Sequence, residues 1–375
     1  MIRELPWNGT GAGRLVESVH VQGWRLITYL GPTEPHQSHY LMPARMFEYA
    51  DAQPDLDLIV RMMVKQTAGL AGKIAAIDRL ELSQFVFQDR FAAARSYLVV
   101  PSAARAAGFD DEIWRFARTA LDELQQSLDL RITSQIDYDQ KQLHPVLGGI
   151  LESIDFAVRH DPSAVATVLA YQRILENSGI GMESAQFTVD GIGDLGYRIV
   201  RLLVEGGAKR VFVCDKVPSR VELAQTFPRV ESYERGQLAT LPCQAHIMSN
   251  NHTFDDAMAA VWASTAEVRV VGGPEAGIDR FHDARNVLHR VGIEFVPSVL
   301  CGSLGLICNL EESLGKLPDL EGMTRRYDAL IQLLVHRAAE SRAPFADTCH
   351  AFLTGGPAEP AAGPVAIGSS QRVPV

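Results

Sequence analysis

One segment near the middle of the chain, FTVDGIGDLGYRIVRLLVEGGAKRVFVCD, constrains the fold more than any other. A β-rich run from Phe187 to Val189 precedes three glycines with the spacing G-x-G-x-x-G. An apolar stripe from Ile199 to Val204 follows the glycines, and a second β-rich run ends at Asp215. Strand, glycine-rich turn, helix and strand in this order predict the first βαβ unit of a Rossmann-type domain.

Each glycine of this turn has its own physical reason. Gly191 permits a tight turn, Gly193 lets the backbone approach a pyrophosphate, and Gly196 lets the helix and the strand pack closely. The helix that starts around Asp194 and Leu195 offers free N–H groups and the positive end of its dipole to phosphate. We therefore expect these five residues to bind a dinucleotide. The alternative is a Rossmann-type domain in which the glycines serve packing alone.

Asp215 extends the cofactor prediction to the ribose. Dinucleotide-binding folds often carry an acidic residue about 20 residues beyond the glycine turn, where it accepts from the ribose hydroxyls. The negative charge of Asp215 disfavours a 2′-phosphate, although Lys216 and Arg220 follow closely and weaken that argument. We expect NAD as the cofactor, with NADP less favoured.

The rest of the chain divides into three blocks. Residues 1–160 contain the strand-like runs HVQGWRLITYL, SHYLMPARMFEY and RSYLVV and two helical runs, the second with Asp110 as its N-cap. Residues 161–321 alternate β-rich and helical runs, which predicts a parallel sheet. We expect a helix over 322–352 to pack back on the first domain, and the Gly/Pro/Ala-rich tail 353–375 to be extended or disordered. The predicted fold is α/β, with a substrate domain, a Rossmann domain and a cleft between them.

Composition excludes several classes of function. The net charge of −10 argues against nonspecific nucleic-acid binding. No apolar run approaches the roughly 20 residues of a membrane span, and the N-terminus lacks a signal-peptide core. The five cysteines are scattered without a C-x-x-C pair, so neither a disulfide framework nor a metal site is predicted. We expect a cytoplasmic protein that acts on a small molecule.

Four further segments carry a resemblance to a known family: LMPARMFEY, LDLIVRMMVKQTAGL, DDEIWRFARTALDEL with its following LRIT, and LHRVGIEFVPSVLCGSLGLICNLEE. Together with the glycine-rich segment and the order of the domains, they resemble the Glu/Leu/Phe/Val amino-acid dehydrogenases, leucine and phenylalanine dehydrogenases above all. The resemblance covers about residues 15 to 350. It implies reversible oxidative deamination of an L-amino acid with NAD, and a homo-oligomer, a dimer or larger.

The resemblance also implies a set of catalytic groups. In the family, one lysine binds the substrate carboxylate, and Lys65 matches it. A second lysine activates water, and two residues compete for its place. Lys73 comes too early in the chain, whereas Arg95 precedes the matching strand. Arginine, with a pKa above about 12, cannot act as a base near neutrality, but it can hold a carboxylate.

Other family positions are also displaced. The aspartate that handles protons aligns with Ile136, and Asp137 is one residue later, a slip that on a strand turns the side chain to the other face. Thr167 is the candidate for seating the nicotinamide, again about one residue away from the family position. Asn250 follows a strand of the predicted parallel sheet and is expected to lie near the cofactor, because strand ends line the ligand crevice.

The departures cluster where amino acid and nicotinamide would meet, while the adenosine and pyrophosphate end is intact. We therefore predict a divergent NAD-dependent oxidoreductase that acts on the C–N bond of a modified amino acid in specialised biosynthesis. A conventional L-amino-acid dehydrogenase using Lys65 and Lys73 is one alternative. A non-catalytic NAD-binding homologue is another.

Overall fold

The computed structural model describes residues 2–6, 13–50, 53–128, 130–132, 160–249, 256–265, 267–274 and 287–356. Its first half contains a six-stranded sheet in the order β1-β2-β3-β5-β4-β6. The strands are β1 (Ile2–Leu5), β2 (Arg14–Val19), β3 (Arg25–Leu30), β4 (Ser38–Tyr49), β5 (Phe91–Pro101) and β6 (Leu130–Ile132). The helices are α1 (Leu56–Asp78), α2 (Ser102–Ala106) and α3 (Asp110–Ser127).

Helices cover both faces of this sheet. Residues of α1 such as Ile59 and Met63 pack on one face, and residues of α3 such as Trp114 pack on the other. The central strand β5 is therefore buried along almost its whole length, as expected for a strand covered on both faces. Asp55 caps α1, because its carboxylate accepts from the backbone N–H of Leu58 at 2.9 Å.

Two local predictions in this half are wrong. Asp110 is the first residue of α3, and Phe109 is its N-cap. An acidic residue in the first turn suits the helix dipole as well as a cap position does, so the sequence signal was shifted by one residue. The run HVQGWRLITYL becomes a strand only at Arg25, because a turn at residues 21–23 includes Gly23 with φ 83°.

The second sheet is fully parallel and has the order β12-β11-β10-β7-β8-β9. Counted from its first strand, this is the 3-2-1-4-5-6 order of a Rossmann domain, so the predicted α/β fold is confirmed. The strands are β7 (Gln186–Asp190), β8 (Arg210–Cys214), β9 (Val230–Ser232), β10 (Ala245–Met248), β11 (Val270–Gly272) and β12 (Glu294–Val296). The helices are α4 (Pro162–Asn177), α5 (Asp194–Glu205), α6 (Pro218–Ala224), α7 (Asp256–Ala263) and α8 (Ser298–Ser313), with a 3₁₀ helix at Arg235–Thr240.

The C-terminal segment forms two helices, α9 (Leu320–Ser341) and α10 (Phe345–Thr354), where the sequence predicted one over 322–352. Arg342 takes a left-handed conformation with φ 54°, which ends α9. Pro344 has no N–H to donate to a helical hydrogen bond, and it disfavours the helical conformation of the residue before it. Tyr327 of α9 belongs to the same buried cluster as Tyr40 and Leu70 of the first half, and the Arg326 guanidinium of α9 donates to the Leu82 carbonyl, so α9 contacts the first half.

Among the residues that the structure describes, no helix has the length and apolar character needed to cross a membrane. The five cysteines are free thiols, four of them buried.

Candidate functional site

The glycine turn has the close packing that its spacing predicts. Gly191 has φ 96°, which favours glycine. A Cβ added to Gly196 would lie 1.9 Å from the carbonyl oxygen of Gly191, so no side chain fits there. Gly193 is the N-cap of α5, and no described side chain caps this helix. The positive end of the α5 dipole therefore lies at the glycine turn, where it favours an anion.

The turn lies at the point where the strand order of the second sheet reverses. From β7 the chain moves to β8 and β9 on one side, and then crosses to β10 on the other. Ser249, directly after β10, donates its backbone N–H to the Asp190 carbonyl at 2.9 Å and its hydroxyl to the Gly191 carbonyl. This contact joins the ends of β7 and β10, the two strands on either side of the reversal point. Open parallel sheets bind their ligands in the crevice at this point.

Asp215 lies beside the turn, with its side chain only 7% exposed. One carboxylate oxygen accepts from the backbone N–H of Ile192 at 2.6 Å, and the other accepts from that of Val217 at 2.8 Å. The Arg220 guanidinium lies 4.0 Å from the carboxylate, and Lys216 is exposed. The cations noted in the sequence therefore do accompany Asp215 at the end of β8.

A second charged pair lies at the same edge of the sheet and was missed in the sequence. Asp190, the last residue of β7, pairs with Arg235 at 3.0 Å. Burial raises the pKa of the neighbouring Cys214 thiol, and the nearby Asp190 carboxylate adds to the effect. Burial also raises the pKa of Tyr233, again with Asp190 contributing. The only available sequence signal was that Asp190 directly precedes the first glycine.

In the first domain, Arg95 lies under α1 and is only 5% exposed. Its Nε donates to the side-chain oxygen of Gln66 at 3.0 Å, and the Tyr97 hydroxyl donates to the same oxygen at 3.1 Å. Lys65, the neighbour of Gln66 in α1, is exposed. Lys73 is half-buried on the same helix. It lies eight residues after Lys65, which corresponds to about 12 Å along the helix axis. Arg95 thus reaches α1 at Gln66, one residue from Lys65, but the Arg95 side chain is buried while the Lys65 side chain is exposed.

The remaining candidates are divided between buried and undescribed positions. Thr167 in α4 is fully buried, and its hydroxyl donates to the Ser163 carbonyl of its own helix at 2.8 Å. Asp137 and Asn250 lie outside the described residues.

Neither a family model nor a curated protein matches this sequence. Solved structures do match, and they define the class of fold as that of the two-domain amino-acid dehydrogenases. The fold expected from the family resemblance is therefore confirmed.

Three of these structures show the extent of the likeness. L-tryptophan dehydrogenase from Nostoc punctiforme matches with a TM-score of 0.58 and 12% identity, over 91% of this chain and 95% of the other. The leucine-bound hetero-hexameric glutamate dehydrogenase from Thermus thermophilus matches with a TM-score of 0.60 and 14% identity, over 95% and 87%. Glutamate dehydrogenase from Peptoniphilus asaccharolyticus matches with a TM-score of 0.55 and 11% identity, over 95% and 89%. At identities this low, the structural likeness establishes a shared fold alone.

Proposed function

We propose that this protein is a nicotinamide-dinucleotide-dependent oxidoreductase that acts on the C–N bond of an amino acid or a modified amino acid. The observation that carries the proposal is the glycine turn at the reversal point of the second sheet, where Gly196 contacts the Gly191 carbonyl too closely for any side chain. The position of this turn at the reversal point, where open parallel sheets bind their ligands, favours a binding role over packing alone.

The residues present fit the dinucleotide. The backbone N–H groups at Gly193, Asp194 and Leu195 would hold the pyrophosphate, and Asp215 would accept from the ribose, since a carboxylate has more lone pairs than its two backbone bonds use. When bound, the nicotinamide would accept or donate a hydride. Asp215 favours NAD as the cofactor, in agreement with the sequence argument.

The first domain supplies the cations for a substrate carboxylate. Arg95 has a planar guanidinium that can hold a carboxylate through two parallel hydrogen bonds, and Gln66 fixes its orientation. Lys65 lies one residue away from Gln66 in α1 and is exposed, and it would add a second positive charge for an anionic substrate.

The same residues argue against ordinary deamination. An arginine remains charged near neutrality, so Arg95 cannot take a proton from water as the family lysine does. We therefore propose a specialised biosynthetic reaction, such as the reduction of an imine or the oxidation of a modified amino acid, in a cytoplasmic homo-oligomer. A conventional deaminase would need Lys73, which lies two turns along α1 from Lys65.

Cofactor titration tests the proposal. We expect NADH to bind with about micromolar affinity and to stabilise the protein by about 2.7 kcal/mol at a concentration 100 times the Kd. Isothermal titration calorimetry and thermal unfolding with NADH and NADPH measure both effects. The absence of binding by either dinucleotide would overturn the proposal. Tight binding without hydride transfer to any of a panel of amines, imines and keto acids would instead favour a non-catalytic homologue.

A further inference from the structure

The carboxylate of Asp215 faces the glycine turn. Its two oxygens accept from Ile192, inside the turn, and from Val217, at the start of the segment that leads into α6. Ile192 is itself only 2% exposed, so its N–H group has little access to water. A buried N–H group that loses its acceptor costs free energy, which makes this bond important for the turn.

The turn is tied to the end of β8 by two neighbouring bonds. The N–H of Gly191 donates to the backbone carbonyl of Cys214 at 2.8 Å, and the next N–H, that of Ile192, donates to the Asp215 side chain. The first bond survives any change of side chain. The second bond depends entirely on the carboxylate. Asp215 therefore holds the Gly191–Ile192 peptide, one residue before Gly193, where the pyrophosphate would approach.

We infer that Asp215 is a positioning residue of the pyrophosphate-binding turn, in addition to any contact that it makes with the ribose. This inference rests on the proposed dinucleotide binding. Its consequence is that the loss of the carboxylate weakens every dinucleotide, including one without the 2′-hydroxyl, because all of them use the same turn. The proposed ribose contact adds to this loss for NADH, and relief of the 2′-phosphate repulsion offsets part of it for NADPH. A carboxylate that only binds the ribose, without positioning the turn, would have a different consequence. Its removal would relieve the repulsion of a 2′-phosphate and would leave a ligand without the 2′-hydroxyl unaffected.

The experiment compares three ligands with two variants. NADH, NADPH and 2′-deoxy-NADH are titrated by calorimetry into wild type, Asp215→Ala and Asp215→Asn. We expect Asp215→Ala to weaken 2′-deoxy-NADH by about tenfold, equivalent to about 1.4 kcal/mol, because this ligand uses the turn without a 2′-hydroxyl, and to weaken NADH by at least as much. Asp215→Asn keeps one acceptor oxygen for the Ile192 N–H, so its loss of affinity for 2′-deoxy-NADH should be smaller.

A matched control separates positioning from a general loss of stability. Asp78 also uses its carboxylate to accept from two backbone N–H groups, those of Phe87 and Gln88, both at 2.8 Å, in a loop of the first domain. Asp78→Ala should lower the thermal stability and leave the affinity for all three ligands unchanged. Hydrogen exchange adds a local measurement: the Ile192 amide should exchange faster in Asp215→Ala, while the amides of β10 should keep their protection.

The outcomes separate the inference from the proposed function. If wild type binds neither NADH nor NADPH, the proposed function fails and this inference fails with it. If wild type binds, but Asp215→Ala keeps its full affinity for 2′-deoxy-NADH, only the inference is overturned. Weaker binding of 2′-deoxy-NADH together with faster exchange at Ile192 supports it.

Discussion

The two regions that carry candidate chemistry are built in different ways. The turn from Gly191 to Gly196 presents backbone N–H groups, and its shape depends on the positive φ of Gly191 and on Gly196, where no side chain fits. The cluster of Arg95, Gln66 and Tyr97 presents side chains from a strand and a helix that are distant in sequence. A backbone site is therefore recognisable from glycine spacing. A side-chain site can change its chemistry through single substitutions, while the fold around it persists.

Two glycine substitutions should produce the largest contrast within the turn. Gly196→Val places a side chain against the Gly191 carbonyl, so we expect a loss of about 3 kcal/mol in the free energy of unfolding and no measurable NADH binding. In Gly193→Ala the added Cβ has no described atom within 4 Å, so the free energy of unfolding should change by less than about 0.5 kcal/mol. Its NADH affinity should nevertheless fall about tenfold, because the pyrophosphate would approach there in the proposed complex. Urea unfolding and calorimetry measure both quantities, and unchanged NADH affinity in Gly193→Ala would contradict the role of the turn.

Acid should act on the second sheet through His246. Burial lowers the pKa of His246 from 6.5 to about 3, so the imidazole is neutral in the folded protein. As the pH falls from 6.5 towards 3, the unfolded chain gains a proton that the folded protein does not bind. The free energy of unfolding should therefore fall by up to about 1.4 kcal/mol per pH unit, or about 5 kcal/mol over the whole window.

Replacement of this histidine isolates its share of the acid sensitivity. His246→Gln should remove most of the decrease between pH 6.5 and pH 4, measured by urea unfolding at each pH. His336→Gln is the control, because His336 is exposed on α9. Equal pH dependence in wild type and His246→Gln would show that other groups determine the acid sensitivity.

A conservative change at Arg95 tests whether the two regions act independently. Arg95→Lys keeps the positive charge but loses the planar guanidinium, so the turnover of the best substrate from a panel of L-amino acids and cyclic imines should fall about 100-fold. NADH affinity should change by less than about twofold, since the residues proposed to bind it lie in the other domain. Higher turnover in Arg95→Lys would mean that a lysine is the natural catalyst at this position, as in ordinary deamination.

The lysines of α1 should show the smallest effects. Lys65→Ala removes an exposed side chain, so stability should change by less than about 0.5 kcal/mol while the KM for an anionic substrate rises about tenfold. Lys73→Ala should leave kcat and KM unchanged. Steady-state kinetics on both variants provides the measurement, and a large fall in kcat for Lys73→Ala would favour the conventional dehydrogenase.

Prediction from sequence succeeded where a local pattern fixes local geometry. The strand, turn and helix around Gly191 depend on residues within one βαβ unit, so their order could be inferred directly. It failed at Asp110, where the N-cap lies one residue earlier, at Phe109. It also failed over residues 322–352, where a break that includes Pro344 divides the predicted helix into two. The Asp190–Arg235 pair joins residues 45 positions apart and could not be found from spacing.

The sequence by itself determined the class of the second domain, because glycine spacing and hydrophobic alternation are encoded residue by residue. Only the tertiary structure decided what the polar groups contact. It placed Arg95 against Gln66 under α1, and it turned the Asp215 carboxylate towards the backbone of the glycine turn. Such contacts depend on how strands and helices far apart in the chain pack together, and that packing is a property of the whole fold.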